Sequence, residues 1–217
     1  MYEHMASLFG GPPNASHLSL YETWAKGSWG MVITGNVQVS DDHLSLGRDI
    51  TVPLVLTDNT IQPFRELGTV IRGTGEQSRD KTLAIMQLSH AGRQSANILG
   101  GRWPFVSPQA PSAVRMQLDK ESRPTIPSFS NLLARVMFQK PKQLSQDEID
   151  RIIVAFARGA RLALQSGFDG VELHAGHGCT SFSYVRPFRH PEIGQISSPN
   201  LSLRRYYYSQ SRSVALF

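Results

Sequence analysis

The sequence predicts an α/β protein built on a parallel sheet. Two apolar runs, within 31–37 and 83–88, lack the alternation of a half-exposed strand, and a third run precedes His174. Such runs are typical of strands that are buried on both faces. Helical patterns separate the three runs, and strands that are joined by helical crossovers pair in parallel. The alternation of strand and helix therefore indicates a parallel sheet with helices packed against it.

The first predicted helix and strand are short. An amphipathic pattern over 18–26 predicts a helix with Trp24 on its apolar side. The following stretch, WGMVITGNVQV, is an apolar run bounded by Gly30 and Gly35. This pattern predicts a strand that is buried on both faces.

The second predicted helix covers 60–73, and we expect it to break near Pro63 and Gly68. Proline removes a helical hydrogen bond, and glycine weakens a helix interior. The next strand, 83–88 in KTLAIMQLSHAGRQ, runs into a polar segment that contains glycine. Residues 95–140 hold many of the prolines and predict a long irregular excursion, which inside a compact domain is usually functional or disordered.

The clearest predicted helix covers 146–165. Ser145 and Glu148 have the spacing of a capping box, in which each side chain accepts a hydrogen bond from the backbone amide of the other residue. Gly167 suits the position after the helix end, where a positive φ is common. The apolar residues that recur at helical spacing are Ile149, Ile152, Ile153, Phe156, Ala157, Ala160, Ala163 and Leu164.

The third predicted strand lies in GVELHAGHG, directly after this helix. Side chains alternate along a strand, so we expect Val171 and Leu173 on one face and Glu172 and His174 on the other. Polar groups follow all three predicted strands. In a parallel barrel the active site lies at the carboxyl ends of the strands. We therefore expect three segments to converge: Gly35 with Asn36, 87–93, and 174–177.

Two histidines at the end of the third strand are candidate site residues. His174 and His177 are three positions apart, so they reach one pocket only if the chain turns near Gly176. They can ligate a metal, with Glu172 as a candidate third ligand, although no HExxH motif is present. They can act as acid and base, or donate two hydrogen bonds to one substrate oxygen. Two structural histidines at a strand end are the fourth interpretation.

Gln87 and Asn36 are candidate binding residues. Gln87 lies in an apolar run, where an amide costs about 1–3 kcal/mol unless its hydrogen bonds are made. Its donor and acceptor match the edge of a heterocycle such as a flavin, and satisfying neighbouring backbone is an equally good explanation. Asn36 follows Gly35 and can instead close a turn.

The composition argues against nucleic acid or a membrane as the partner. Residues 180–217 carry five arginines and one acidic residue, so this segment supplies +4 of the net charge of +5 and leaves the body nearly neutral. Nucleic-acid binding would need basic residues across a folded face. No window approaches the ~20 apolar residues of a membrane span, and the start is unlike a signal peptide. With Cys179 as the only cysteine, we expect a cytoplasmic protein without disulfides.

Several motifs together resemble the old yellow enzyme family of FMN-dependent NAD(P)H oxidoreductases and ene-reductases. They are GSWGMVITGNVQV, QLSHAGRQS, PSAV and LSQDEIDRIIVAFARGARLALQSGFDGVELHAGHG, and the resemblance covers about residues 1–178. It implies part of a (β/α)8 TIM barrel, with FMN at the carboxyl ends of the strands. It also implies NADH or NADPH as the reductant and an activated alkene, or a related electron-poor small molecule, as the substrate.

The resemblance also implies roles for single residues. Gln87 corresponds to the residue that binds the pyrimidine edge of the flavin, and Asn36 lies where a backbone amide approaches the ring. His174 and His177 correspond to the paired donors that hold the substrate oxygen, without a metal. Cys179 stands where the family commonly has a tyrosine that protonates the substrate.

The chain departs from the family pattern at both ends. We expect two regions: a partial barrel over 1–178 and a Ser/Arg-rich, irregular tail over 179–217. The first strand and the last four strand–helix units, which bring the phosphate-binding loops, are not identifiable. We therefore expect a truncated product whose tail comes from another reading frame or an unspliced segment. The alternative function is that of a non-catalytic remnant or interaction module that cannot hold FMN.

Overall fold

The structure is a computed structural model that describes residues 3–27, 29–73, 82–115, 136–175 and 213–216, the last of these as backbone only. Two short regular segments accompany the main sheet: a 3₁₀ turn at Gly92–Gln94, and a two-stranded ladder of 109–110 with 142–143. In chain order the elements are α1 (Ala15–Ala25), β1 (Met31–Ile33), β2 (Val37–Gln38), β3 (Ile50–Thr51), α2 (Asp58–Arg72), β4 (Leu83–Ser89), β5 (Gln109–Ala110), β6 (Lys142–Gln143), α3 (Gln146–Gln165), β7 (Gly170–Leu173) and β8 (Ser213–Leu216).

The main sheet has the strand order β3-β2-β4-β7-β8, and β1 also pairs with β4. All of these pairings are parallel except that of β7 with β8, which is antiparallel. Helix α2 connects β3 to β4, and α3 precedes β7. The predicted α/β architecture with a parallel sheet is therefore confirmed.

The first predicted strand forms β1 and β2, with a bulge between them. Residues 31–33 pair with 83–85, and 37–38 pair with 88–89. Three residues, 34–36, therefore face only two residues of β4, which is the arrangement of a β-bulge. The Oγ1 atom of Thr34 accepts the Gln87 N–H at 3.0 Å and replaces a ladder bond at this point.

Helix α2 is continuous, so the predicted break near Pro63 and Gly68 is wrong. Its amino end is capped by Thr57, whose side chain accepts the Thr60 N–H. Proline removes one internal bond, and the apolar side of the helix that packs into the core outweighs this local cost. Gly68 allows close packing, because a Cβ atom there would lie 3.4 Å from the Phe168 ring.

The other two main helices agree with the sequence to different degrees. Helix α3 has the predicted bounds and capping box, with the Ser145 N–H donating to Glu148 Oε2 at 2.8 Å. Gly167 follows the helix end with a φ of +76°. Helix α1 begins three residues earlier than predicted because Asn14 caps it, and the Asn14 side chain accepts from Ser16 and His17.

The two faces of the sheet differ in chemistry. One face, here called the outer face, presents side chains such as Met86, Leu88 and Val171 to an apolar core shared with all three helices. The opposite face, here called the inner face, carries polar side chains at the alternate positions. They are Gln38, Gln87, Ser89 and Glu172, and all are buried. The inner face corresponds to the interior of the partial barrel.

Strand β8 lies in the segment 179–217, for which the sequence predicts irregular structure, and the rest of that segment lies outside the described residues. Of the excursion 95–140, residues 116–135 also lie outside them. In the described parts of the chain, no helix is long and apolar enough to cross a membrane.

Candidate functional site

The carboxyl ends of three neighbouring strands bring predicted site residues to one end of the sheet. Asn36 lies in the bulge before β2, Gln87 lies near the end of β4, and His174 directly follows β7. The His174 N–H donates to the Leu88 carbonyl at 2.9 Å, so the pairing of β7 with β4 continues to this histidine. Three segments that are far apart in sequence therefore end beside one another.

Gln87 and Glu172 form a buried pair on the inner face. They are partners in the register of β4 and β7, and their exposed fractions are 8% and 0%. The Gln87 Nε2 atom donates to Glu172 Oε2 at 3.3 Å. The Gln87 Oε1 atom is buried and has no hydrogen-bond partner among the described residues. This oxygen is therefore an available acceptor inside the sheet.

Asn36 offers a second buried acceptor at the bulge. It is 8% exposed, and its Oδ1 atom has no partner among the residues that the structure describes. The bulge beside it is anchored by Tyr21, whose hydroxyl accepts the Gly35 N–H and donates to Glu3 Oε1, both at 2.7 Å. Burial raises the pKa of Glu3, and burial together with the Glu3 carboxylate raises the pKa of Tyr21.

Gly35 lies close to the carboxyl group of Glu3 at this bulge. A Cβ atom there would lie 2.9 Å from the carboxyl carbon of Glu3. The hydrogen bond from the Gly35 N–H to the Tyr21 hydroxyl anchors the backbone beside Asn36.

A second glutamine on the inner face is bound in the same way as Gln87. The Gln38 Nε2 atom donates to Ser45 Oγ at 3.0 Å and to Asp49 Oδ1 at 3.4 Å. Asp49 also accepts the Ser45 N–H at 3.1 Å. The Gln38 Oε1 atom is buried and unpartnered within the described ranges. Sequence reasoning missed this pair, although a glutamine between two valines in VQV was a usable signal.

Two further histidines pack together beyond the end of β4. The rings of His43 and His90 lie 4.6 Å apart and are tilted by 30°. The Nδ1 atom of His43 is 2.7 Å from Asp42 Oδ1, and its Nε2 atom accepts the Gln109 N–H at 2.9 Å. Through these two contacts His43 ties β5 to the loop after β2.

Burial gives this pair an unusual electrostatic setting. Burial, with a smaller contribution from His43, lowers the pKa of His90 to about 3. The bond to His43 holds the pKa of Asp42 well below its usual range. His90 is therefore neutral at all ordinary pH values, and neither histidine was a candidate in the sequence reasoning.

Of the remaining predicted site residues, the structure describes only one. His174 is half-buried at the end of β7. His177 and Cys179 lie outside the described residues, so the structure does not bring the histidine pair together or separate it. Within the described ranges no group of three or more His, Cys, Asp or Glu side chains could hold a metal ion.

The fold is shared with a solved structure. The old yellow enzyme homologue from Zymomonas mobilis aligns with a TM-score of 0.63 over 89% of this chain and 48% of that chain, at 22% sequence identity. This likeness confirms the partial (β/α)8 barrel. Residues 5–188 match the model of the NADH:flavin oxidoreductase / NADH oxidase family. The chain belongs to this family, as its motifs indicate.

Curated relatives support the same assignment. NADH-dependent flavin oxidoreductase iliE of Neonectria sp. (strain DH2) is 39% identical over 171 residues, which are 76% of this chain and 20% of that protein. The protein of the same name from Hypocrea jecorina (strain QM6a) is 37% identical over 173 residues, which are 79% of this chain and 40% of that protein. The chain thus spans between a fifth and two fifths of the length of these relatives.

Proposed function

We propose that the inner face binds FMN and that the chain contributes this site to an NAD(P)H-dependent flavin oxidoreductase that reduces activated alkenes. The observation that carries the proposal is the buried, unpartnered Oε1 atom of Gln87 at the carboxyl end of the parallel sheet. A buried carbonyl oxygen without a donor is costly, and a ligand N–H at this point removes that cost. Family membership supplies the class of ligand.

The residues of the inner face fit the polar edge of a flavin. The isoalloxazine ring presents an imide N–H between two carbonyl oxygens, so it needs at least one acceptor in the plane of its edge. Gln87 Oε1 offers that acceptor. We propose that Gln87 holds this edge and that the backbone amide at Asn36 approaches the ring.

We propose that His174 and His177 hold the substrate oxygen. Two imidazole N–H groups that meet at one carbonyl oxygen stabilise the negative charge that develops there and make the β-carbon electrophilic. The chemistry that FMN would supply when bound, after reduction by NADH or NADPH, is hydride transfer to that carbon. Cys179 is the proposed proton donor, because a thiol with an ordinary pKa of ~8.5 is protonated at neutral pH. A cytoplasmic location remains part of this proposal.

One observation favours a second candidate, a non-catalytic remnant or interaction module. Strand β8 pairs with β7 in the antiparallel sense, whereas the strands of a (β/α)8 barrel pair in parallel. The edge of β7 that faces away from β4 is thus paired with an antiparallel strand, whereas a closed barrel would have a parallel strand there. A protein of this kind would not retain the cofactor.

Titration with FMN separates the two candidates. If the chain binds FMN, the protein should become yellow, with the visible absorption band of bound flavin. Flavin fluorescence should be quenched up to one FMN per chain. His174→Ala should retain FMN and lose affinity for a carbonyl or phenolic ligand, measured as a perturbation of the bound-flavin spectrum. A colourless wild-type protein that takes up no FMN would contradict the oxidoreductase proposal and support the remnant.

A further inference from the structure

The inner face contains two pairs of the same kind, in which a carboxylate holds a glutamine amide. Glu172 accepts from Gln87, and Asp49 accepts from Gln38. In both pairs the amide nitrogen faces the carboxylate, and the amide oxygen is buried without a partner among the described residues. In each pair a carboxylate accepts from the amide nitrogen and so favours the orientation that leaves the oxygen available, although at Gln38 the Ser45 hydroxyl is a nearer acceptor, at 3.0 Å.

The chemistry of the two groups explains this orientation. A glutamine side chain has two N–H donors at one end and an acceptor at the other, and an ionised carboxylate can only accept. Turning the Gln87 amide over would place two oxygens against each other inside the sheet, where such a repulsion is poorly screened. Glu172 is paired with Gln87 by strand register, so neither side chain can move away without disturbing β4 or β7.

We propose that Glu172 is a positioning residue that makes Gln87 an obligate acceptor and so selects a ligand N–H at this point. The inference rests on the proposed function, in which that N–H is the imide of the flavin. An acceptor stabilises the protonated imide and cannot stabilise its anion. The bound flavin therefore ionises at a higher pH than free flavin.

A double-mutant cycle tests this role, with the ionisation of bound FMN followed by its absorption at alkaline pH. In Glu172→Gln the new amide can either accept or donate, so Gln87 is free to turn and donate to the ionised imide. We expect the imide pKa to fall by about one pH unit, the size of one net hydrogen bond. Removing a negative charge also lowers this pKa, so Glu172→Gln is repeated in the Gln87→Met background, where only the charge effect remains.

The cycle has a decisive outcome in either direction. A clearly larger shift with Gln87 present supports the positioning role. Equal shifts in the two backgrounds would overturn it, because charge alone would then explain the effect. Asp49→Asn is the matched control: it alters the same kind of pair on the same face and should leave the flavin ionisation unchanged. A shift as large as that of Glu172→Gln would also overturn the proposal.

A second measurement needs no flavin and separates this inference from the proposed function. In ¹⁵N-labelled wild-type protein, one side-chain N–H proton of Gln87 should be shifted downfield by the carboxylate, and Glu172→Leu should abolish that shift. If wild type lacks the shift, Glu172 does not orient Gln87 and the inference fails. If the shift is present and FMN does not bind, the orientation stands while the flavin ligand and the proposed function fail.

Discussion

The outer and inner faces of the sheet use neighbouring residues of the same strands for opposite purposes. Along β4, Met86 and Leu88 lie in the apolar core under the helices, while Gln87 between them lies on the polar inner face. Both kinds of side chain are buried. The outer face has its partners within the chain, whereas two amide oxygens of the inner face have none among the described residues. Stability is thus expected from one face and ligand binding from the other.

The largest effect that separates the two faces should come from Leu88→Ala. Leu88 is fully buried against α3, where a Cβ atom on Gly159 would lie 2.8 Å from its Cδ2 atom. Removal of a buried leucine side chain costs about 2–5 kcal/mol. Urea unfolding should show this loss. Gln87→Met, one residue away, should instead weaken FMN binding several-fold, and an equal loss of stability in both variants would contradict the comparison.

The next effect concerns the free energy of unfolding at acid pH, to which the buried His90 beyond the end of β4 contributes. The pKa of His90 is lowered by burial from 6.5 to about 3, so the folded state binds fewer protons than the unfolded state between these values. The contribution of His90 to the free energy of unfolding is complete above pH 6.5. It is lost as the pH falls towards 3, at up to about 1.4 kcal/mol per pH unit. His90→Gln should flatten this slope in a series of unfolding curves, whatever its stability at neutral pH. An unchanged slope would show that other groups cause the acid sensitivity.

A smaller effect is expected from the anchor of the bulge. Tyr21→Phe removes the acceptor of the Gly35 N–H and the donor to Glu3 in one step. A buried group that loses its partner costs about 1–3 kcal/mol. Thermal unfolding measures the loss, and Thr23→Val on the exposed side of the same helix serves as the control. If the two variants are equally stable, the Tyr21 anchor contributes nothing.

The smallest effect is a pH dependence of opposite sign to that of His90. Burial raises the pKa of Glu3, so the folded state binds more protons than the unfolded state just above the ordinary carboxyl pKa. The contribution of Glu3 to the free energy of unfolding is complete at lower pH and is lost as the pH rises through the raised pKa of its carboxyl group. Glu3→Gln keeps an acceptor for Tyr21 and should therefore gain stability at neutral pH relative to wild type. Unfolding curves at pH 4 and pH 7 would show a constant difference if the prediction is wrong.

Sequence patterns gave accurate predictions where the stabilising interactions involve residues that are close in sequence. Ser145 and Glu148 define the start of α3 because a capping box involves only neighbouring residues. The break predicted in α2 failed because the core contacts of Phe64 and Leu67 outweigh the local cost of Pro63. His90 was missed as a buried titratable group because its setting depends on His43, which is remote in sequence.

By itself the sequence determined the alternation of helix and strand, the parallel arrangement, and the motifs that assign the family. Periodicity and caps carry that information because they depend on residues a few positions apart. Only the tertiary structure decided which polar groups meet. Glu172 faces Gln87 and Asp49 faces Gln38 through strand register and packing, and hydrogen bonds between distant segments leave no periodic trace in a single sequence. The orientation of the Gln87 amide, on which ligand selection is proposed to depend, is a property of those contacts.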